Sequence, residues 1–243
     1  MNVNARDGQG KTPLLCSAYK GDLQAAKWLV QNGADVNARD NDGWTALHHA
    51  ARCGQLDMVK WLVEERNVDV NARNNSGWTA LHDAARFGQL DTARWLVEER
   101  NMDVNARDND GWTALHHAAD YGHLNLVKWL VEERNVDVNA RNNSGSTALH
   151  YAARFGQLDM VKWLVEERNV DVNARDNDGW TALHHAANWG RLDMVKWLVE
   201  AGKADIYLTD IDGRTASVYG SEEVSRYQRD QSIESRPESA AKA

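Results

Sequence analysis

The chain has 243 residues, a formal net charge of −8, 42% apolar and 26% charged residues, which is the make-up of an ordinary folded protein. No apolar run approaches the roughly 18–20 residues of a membrane helix, and the first residues lack the basic and apolar regions of a secretory signal. Two cysteines are too few for a disulfide framework or a four-cysteine zinc site, and the acidic balance lacks the basic face of a phosphate-backbone binder.

Met1–Asp7 reads as the end of a loop, and Gly10-Lys-Thr-Pro-Leu-Leu then opens a series. Gly-Trp-Thr-Ala-Leu-His follows at Gly43, Gly77, Gly111 and Gly179, with a Ser variant at Gly145 and a diverged copy at Gly213. The first interval is 33 residues and the rest are 34. Such a period marks stacked repeats. The units lie near 7–39, 40–73, 74–107, 108–141, 142–175, 176–209 and 210–235, with a disordered tail at 236–243. The excess of 11 Trp over 2 Phe and 2 Pro is the signature of that copying.

Asp40–Arg73 illustrates one unit. Asp40-Asn41-Asp42-Gly43 is turn chemistry. Thr45 is a natural N-cap for a helix over 46–52, and Gly54 ends it. Gln55-Leu56-Asp57 starts a second helix, whose apolar Leu56, Met58, Val59, Trp61, Leu62 and Val63 are too widely spread for a single buried side. That helix belongs between copies of itself. Asn67-Val68-Asp69-Val70-Asn71 leads out as an extended turn. A second period of 68 is also present, because units beginning Asp-Asn-Asp alternate with units beginning Asn-Asn-Ser. In the last unit the helix expected at 222–233 is polar on its outer side, as a terminal repeat requires.

Gly-x-Thr-Ala-Leu-His-x-Ala-Ala, Gly-x-Leu-x-x-Val-x-x-Leu-Val and Asp-Val-Asn-Ala-Arg together resemble the ankyrin repeat, over about residues 2–235. The resemblance implies an all-α fold, an α-solenoid of stacked helix-turn-helix repeats joined by β-hairpin loops. Ala replaces the usual Pro in every motif after Thr12-Pro13-Leu14. Glu65-Arg66-Asn67-Val68-Asp69 is one residue longer than the matching segment of the first unit, which ends Gly33-Ala34-Asp35. A longer second helix or a small bulge is expected there, with Asn67 and its copies capping it.

The tryptophans form two ladders. Trp28, Trp61, Trp95, Trp129, Trp163 and Trp197 lie in second helices and are expected in the core. Trp44, Trp78, Trp112 and Trp180 lie where hairpin meets helix, a position that the resemblance places among partner contacts; packing on the next hairpin is the other reading. Ser146 interrupts this ladder. Phe87, Tyr121, Phe155 and Trp189 precede the glycine ending the first helix, which the resemblance turns toward a concave groove. They form either a stripe for an apolar or extended partner or cover for their neighbours. His49, Asp83, His117, Tyr151 and His185 vary on a near-constant background, as recognition positions do. His48, His82, His116, His150 and His184 belong to the repeated motif, where the resemblance implies structural bracing. No metal and no cofactor are expected: copies of His49 two units apart stand on the order of 20 Å from one another.

The resemblance implies a binding module for a protein or peptide, working through the concave groove and hairpin tips. It implies no enzyme activity. The expected state is a cytoplasmic monomer with Cys16 and Cys53 as free thiols, and with neither nucleic acid nor membrane as a partner. Two alternatives stand beside it: a partnerless or consensus-like engineered scaffold, which the high internal identity favours, and a targeting arm of a larger, microbial effector-like protein.

Overall fold

In a computed structural model, residues 2–234 are described. The chain divides into two compact units, one ending at Val136 and the other starting at Asp137. Among the described residues thirteen α-helices, two π turns, one 3₁₀ turn and one isolated bridge, Thr209 to Thr215, make up the regular structure, with no strands.

The first unit holds four helix pairs. These are α1 (Pro13–Lys20) with α2 (Leu23–Gln31), α3 (Ala46–Arg52) with α4 (Leu56–Lys60), α5 (Ala80–Arg86) with α6 (Leu90–Glu98), and α7 (Ala114–Asp120) with α8 (Leu124–Glu132). The second holds α9 (Ala148–Phe155) with α10 (Leu158–Lys162), α11 (Ala182–Asn188) with α12 (Leu192–Glu200), and the 3₁₀ turn Ala216–Val218 with α13 (Glu222–Glu234). The helix read from Thr45 starts and ends as its capping residue and following glycine require. Fully buried Ala50, Ala51, Ala84 and Ala85 allow first helices of successive repeats to pack side by side. Leu47, Leu62, Leu81 and Leu96 fill the layer between first and second helices.

In two repeats the added residue is absorbed as a π turn. Four residues separate Trp28 from Gly33, and five separate Trp61 from Asn67. Inserting one residue between fixed ends converts an i→i+4 bond into i→i+5. Accordingly, α4 continues into a π turn at Trp61–Glu65 and α10 into one at Trp163–Glu167. The Arg168 amide donates to the Trp163 carbonyl at 3.2 Å. Asn67, Asn101, Asn135 and Asn169 follow with φ of 51–52°, a left-handed conformation that Asn tolerates better than other side chains.

The loops between pairs are tighter than the expected hairpins. Each closes on itself: the Asp40 amide donates to the Trp44 carbonyl at 3.0 Å, and the Asn74 amide to that of Trp78 at 2.9 Å. Neighbouring loops then join tip to tip, the Asn75 amide donating to the Asp42 carbonyl at 3.0 Å. A side chain on Gly43 (φ 81°) would lie 2.9 Å from the Asn75 backbone nitrogen, so this close approach and the turn both require glycine. Arg39 and Arg73 fasten the stack from outside, donating to the carbonyls of Arg73 and Arg107 at 2.6 and 2.9 Å.

The second-helix tryptophans divide by position. Trp61, Trp95, Trp129 and Trp163 are buried, as expected for the core. Trp28 is 50% exposed and Trp197 is half-buried, which corrects the expectation for these two. The buried rings have cover that the others lack. The guanidinium five residues on lies over the ring, Arg66 on Trp61 at 5.7 Å, Arg100 on Trp95 at 4.7 Å and Arg168 on Trp163 at 5.0 Å. The position five after Trp28 is Gly33 and that after Trp197 is Gly202. Trp129 is also covered by the preceding repeat, through Arg94 at 5.5 Å.

Candidate interaction surface

The loop of each repeat is built around its first acidic or amide residue. Asp40 Oδ1 accepts from the amides of Asp42 (3.1 Å) and Trp44 (2.9 Å), the local pattern for which Asp and Asn are suited. Asn74, Asp108, Asn142, Asp176 and Asp210 repeat it. The same side chain then holds the residue nine positions on. His49 Nε2 lies 3.1 Å from Asp40 Oδ2, His117 Nε2 3.2 Å from Asp108, and His185 Nε2 3.0 Å from Asp176. In the Asn142 unit, Nδ2 donates to the Tyr151 hydroxyl at 2.8 Å.

These contacts correct the expectation for one row. His49, Asp83, His117 and Tyr151 are buried rather than turned toward a partner, and His185 is half-buried. Their variation follows the loop residue each one meets: His faces Asp, and Tyr faces Asn. The period of 68 thus has a packing origin at these positions.

Asp83 departs from the pattern. It faces no Asp partner, is fully buried, and neither carboxyl oxygen has a hydrogen bond. Burial pushes its pKa well above the usual carboxylate range, although the charges of Arg52 and Arg86 pull the other way.

The motif histidines brace each repeat. The Thr45 hydroxyl and amide lie 2.8 and 3.3 Å from His48 Nδ1, while Nε2–H donates to the Trp78 carbonyl of the next repeat at 3.0 Å. A carbonyl can only accept, so Nε2 carries the proton and Nδ1 is the acceptor. His82 and His150 are held alike. Burial pushes all three down to about 4.

The hairpin tryptophans Trp44, Trp78, Trp112 and Trp180 are all half-buried. They pack on neighbouring rings, Trp44 on His49 at 5.3 Å and on Trp78 at 6.4 Å, and Trp180 on Tyr219 at 4.6 Å. Their remaining edges stay open. Of the helix-end aromatics, Tyr121 is 45% and Trp189 43% exposed, Phe155 is exposed and Phe87 half-buried. Phe87 stacks with Tyr121 at 6.5 Å in the first unit, and Phe155 lies 5.8 Å from Trp189 in the second.

Arginines join the two aromatic rows. The Arg52 guanidinium lies 5.3 Å from Trp44 and 4.5 Å from Phe87, and that of Arg86 lies 5.0 Å from Trp78 and 4.7 Å from Tyr121. In the second unit Arg154 is 4.5 Å from Trp189, with Ser146 where the hairpin ring would stand. Sequence reading missed these arginines. A partial signal is present: Arg52 and Arg86 stand eight residues after Trp44 and Trp78, and Arg86 and Arg154 directly precede Phe87 and Phe155, whereas Asp120 and Asn188 hold the position after Trp112 and Trp180. In the first unit the rows enclose a groove of about 610 Å³ walled by Trp44, Trp78, Phe87, Arg52 and Arg86.

Cys16 and Cys53 are unpaired. Among the described residues no cluster of three His, Cys, Asp or Glu side chains is arranged to hold a metal ion, and no helix is long and apolar enough to cross a membrane.

A comparison with curated protein sequences finds no match. A family model described as ankyrin repeats (3 copies) matches residues 1–74, 67–142 and 134–210. Members of this family are generally protein-interaction modules and typically non-catalytic. With the repeats matched over most of its length and the helix pairs and capped loops in place, the chain belongs to the ankyrin repeat family.

Proposed function

We propose that the protein binds a protein or peptide partner through the face made by its loop tips and first-helix ends, as a monomer in the cytoplasm and without catalysis. The observation that carries this reading is the groove of about 610 Å³ in the first unit, where half-buried Trp44, Trp78 and Phe87 keep open edges on an ordered scaffold. Aromatic rings held in place lose little freedom when a partner settles on them, and such rings dominate binding at protein surfaces. In this reading Tyr121 and Trp112 extend the face within the first unit, and Phe155, Trp180 and Trp189 form the corresponding surface of the second. The buried His49, Asp83, His117 and Tyr151, with the half-buried His185, shape it from beneath.

Replacing Phe87 and Tyr121 together by Ser tests the reading. Helicity is expected to stay close to that of the parent chain. Peptides selected from a random display library against the full chain should bind the variant about tenfold or more weakly. Unchanged affinity for every selected peptide would contradict it.

A further inference from the structure

The groove of the first unit has an unusual charge. The chain is acidic, and several other arginines of the first unit are committed to partners: Arg39 and Arg73 to backbone carbonyls, Arg94 to Glu133 at 2.6 Å, and Arg100 to Glu64. Arg52 and Arg86 differ. Their carbonyls accept from Gln89 and His123, but neither guanidinium makes a hydrogen bond or an ion pair with a described residue, and Arg86 Nε is buried without a partner. Both planes are held between aromatic rings at 4.5–5.3 Å. The rings fix the forks without using their N–H groups, and a fixed guanidinium fork matches a carboxylate with two parallel hydrogen bonds.

The nearest acids leave these forks unanswered. Asp83 lies among the charges of Arg52 and Arg86, yet its oxygens meet no donor, and burial favours its uncharged form. Asp40 is engaged by His49 and by two loop amides. Lys11 adds a third positive charge to the groove wall, and Asp42 is the remaining acid there.

We propose that the groove of the first unit receives an extended acidic peptide segment, with one carboxylate on Arg52 and a second on Arg86. The inference rests on the docking reading above and names the chemistry of the partner. The two arginines end first helices of adjacent repeats, α3 and α5. Packed helices stand about 8–10 Å apart, and an extended chain advances roughly 3.3 Å per residue. The two acidic side chains therefore belong about three residues apart.

The test uses the full chain and fluorescein-labelled peptides of Gly and Ser carrying two Glu. One peptide has the Glu residues three apart, one has them adjacent, and one has both replaced by Gln. Anisotropy titration is expected to give the three-apart peptide an affinity about tenfold or more above the Gln peptide. That preference should shrink as NaCl rises and vanish in Arg52→Gln/Arg86→Gln. Should the Gln pair disturb folding by circular dichroism, Arg52→Lys/Arg86→Lys keeps the charge and should retain part of the preference. Equal affinity of the Glu and Gln peptides, or a preference that survives the loss of both arginines, would overturn the acidic partner. The docking reading fails separately, through unchanged library-peptide binding in Phe87→Ser/Tyr121→Ser.

Discussion

Acidification from pH 6.5 to pH 4 is expected to remove roughly 5 kcal/mol of stability from the first unit and roughly 3 kcal/mol from the second, through His48 and His82 in one and His150 in the other. Each ring binds its proton near 6.5 when unfolded and only near 4 when folded. Within that window the unfolded chain takes up protons that the folded chain refuses, so stability falls with pH and levels off below about 4. The refusal comes first from burial, and the ring's setting agrees with it. A proton added to Nδ1 would face the Thr45, Thr79 or Thr147 amide, which already donates there. Domain stability is typically about 5–15 kcal/mol, so the loss is a large share of what holds the first unit folded. Asp83 acts in the opposite sense: its raised pKa means that stability is regained as pH falls toward the ordinary carboxylate value. Asp83→Asn should therefore steepen the acid loss. Urea denaturation at a series of pH values measures both effects, and a flat stability between pH 6.5 and pH 4.5 would contradict the bracing role.

Trp129→Ala is expected to cost about 3–5 kcal/mol, while Trp28→Ala at the equivalent position should cost under about 1 kcal/mol. Trp129 is 2% exposed. Its Nε1–H donates to Glu98 of the preceding repeat at 3.3 Å, and Arg94 of that repeat covers its face. Removing the ring leaves a cavity between two repeats and takes away one hydrogen-bond donor of Glu98, which keeps Arg94 and Arg134 at 3.7 Å. Trp28 has a free face and Gly33 in place of a covering arginine. Urea unfolding of the two variants checks the contrast. Equal losses would mean that cover by arginine and neighbouring repeat does not govern the ladder.

The repeat, its helix starts and its caps were legible in the sequence because each depends on local rules. Thr45 caps, Gly43 turns, and the residue added before Asn67 forces a bulge within a few positions. The assignment of faces was harder. His49 and its copies vary like surface residues, yet all but Asp83 are fixed by a side chain nine positions earlier that reaches back across the loop. That pairing could have been read from the co-occurrence of Asp40 with His49 and of Asn142 with Tyr151. Trp28 and Trp61 are the same residue at the same motif position, and their burial differs with what lies five residues on, Gly33 in one case and Arg66 in the other. Arg52 and Arg86 read as ordinary helix-end cations. Their setting between two aromatic rows arises only when adjacent repeats are stacked.

The central claim, that partners settle on the loop and first-helix face, is tested most directly by the indole N–H signals of the 11 tryptophans. A library-selected peptide is titrated into the isotope-labelled full chain. The account predicts shifts at Trp44 and Trp78, with Trp61, Trp95 and Trp129 unmoved. Shifts confined to the second-helix tryptophans would contradict it.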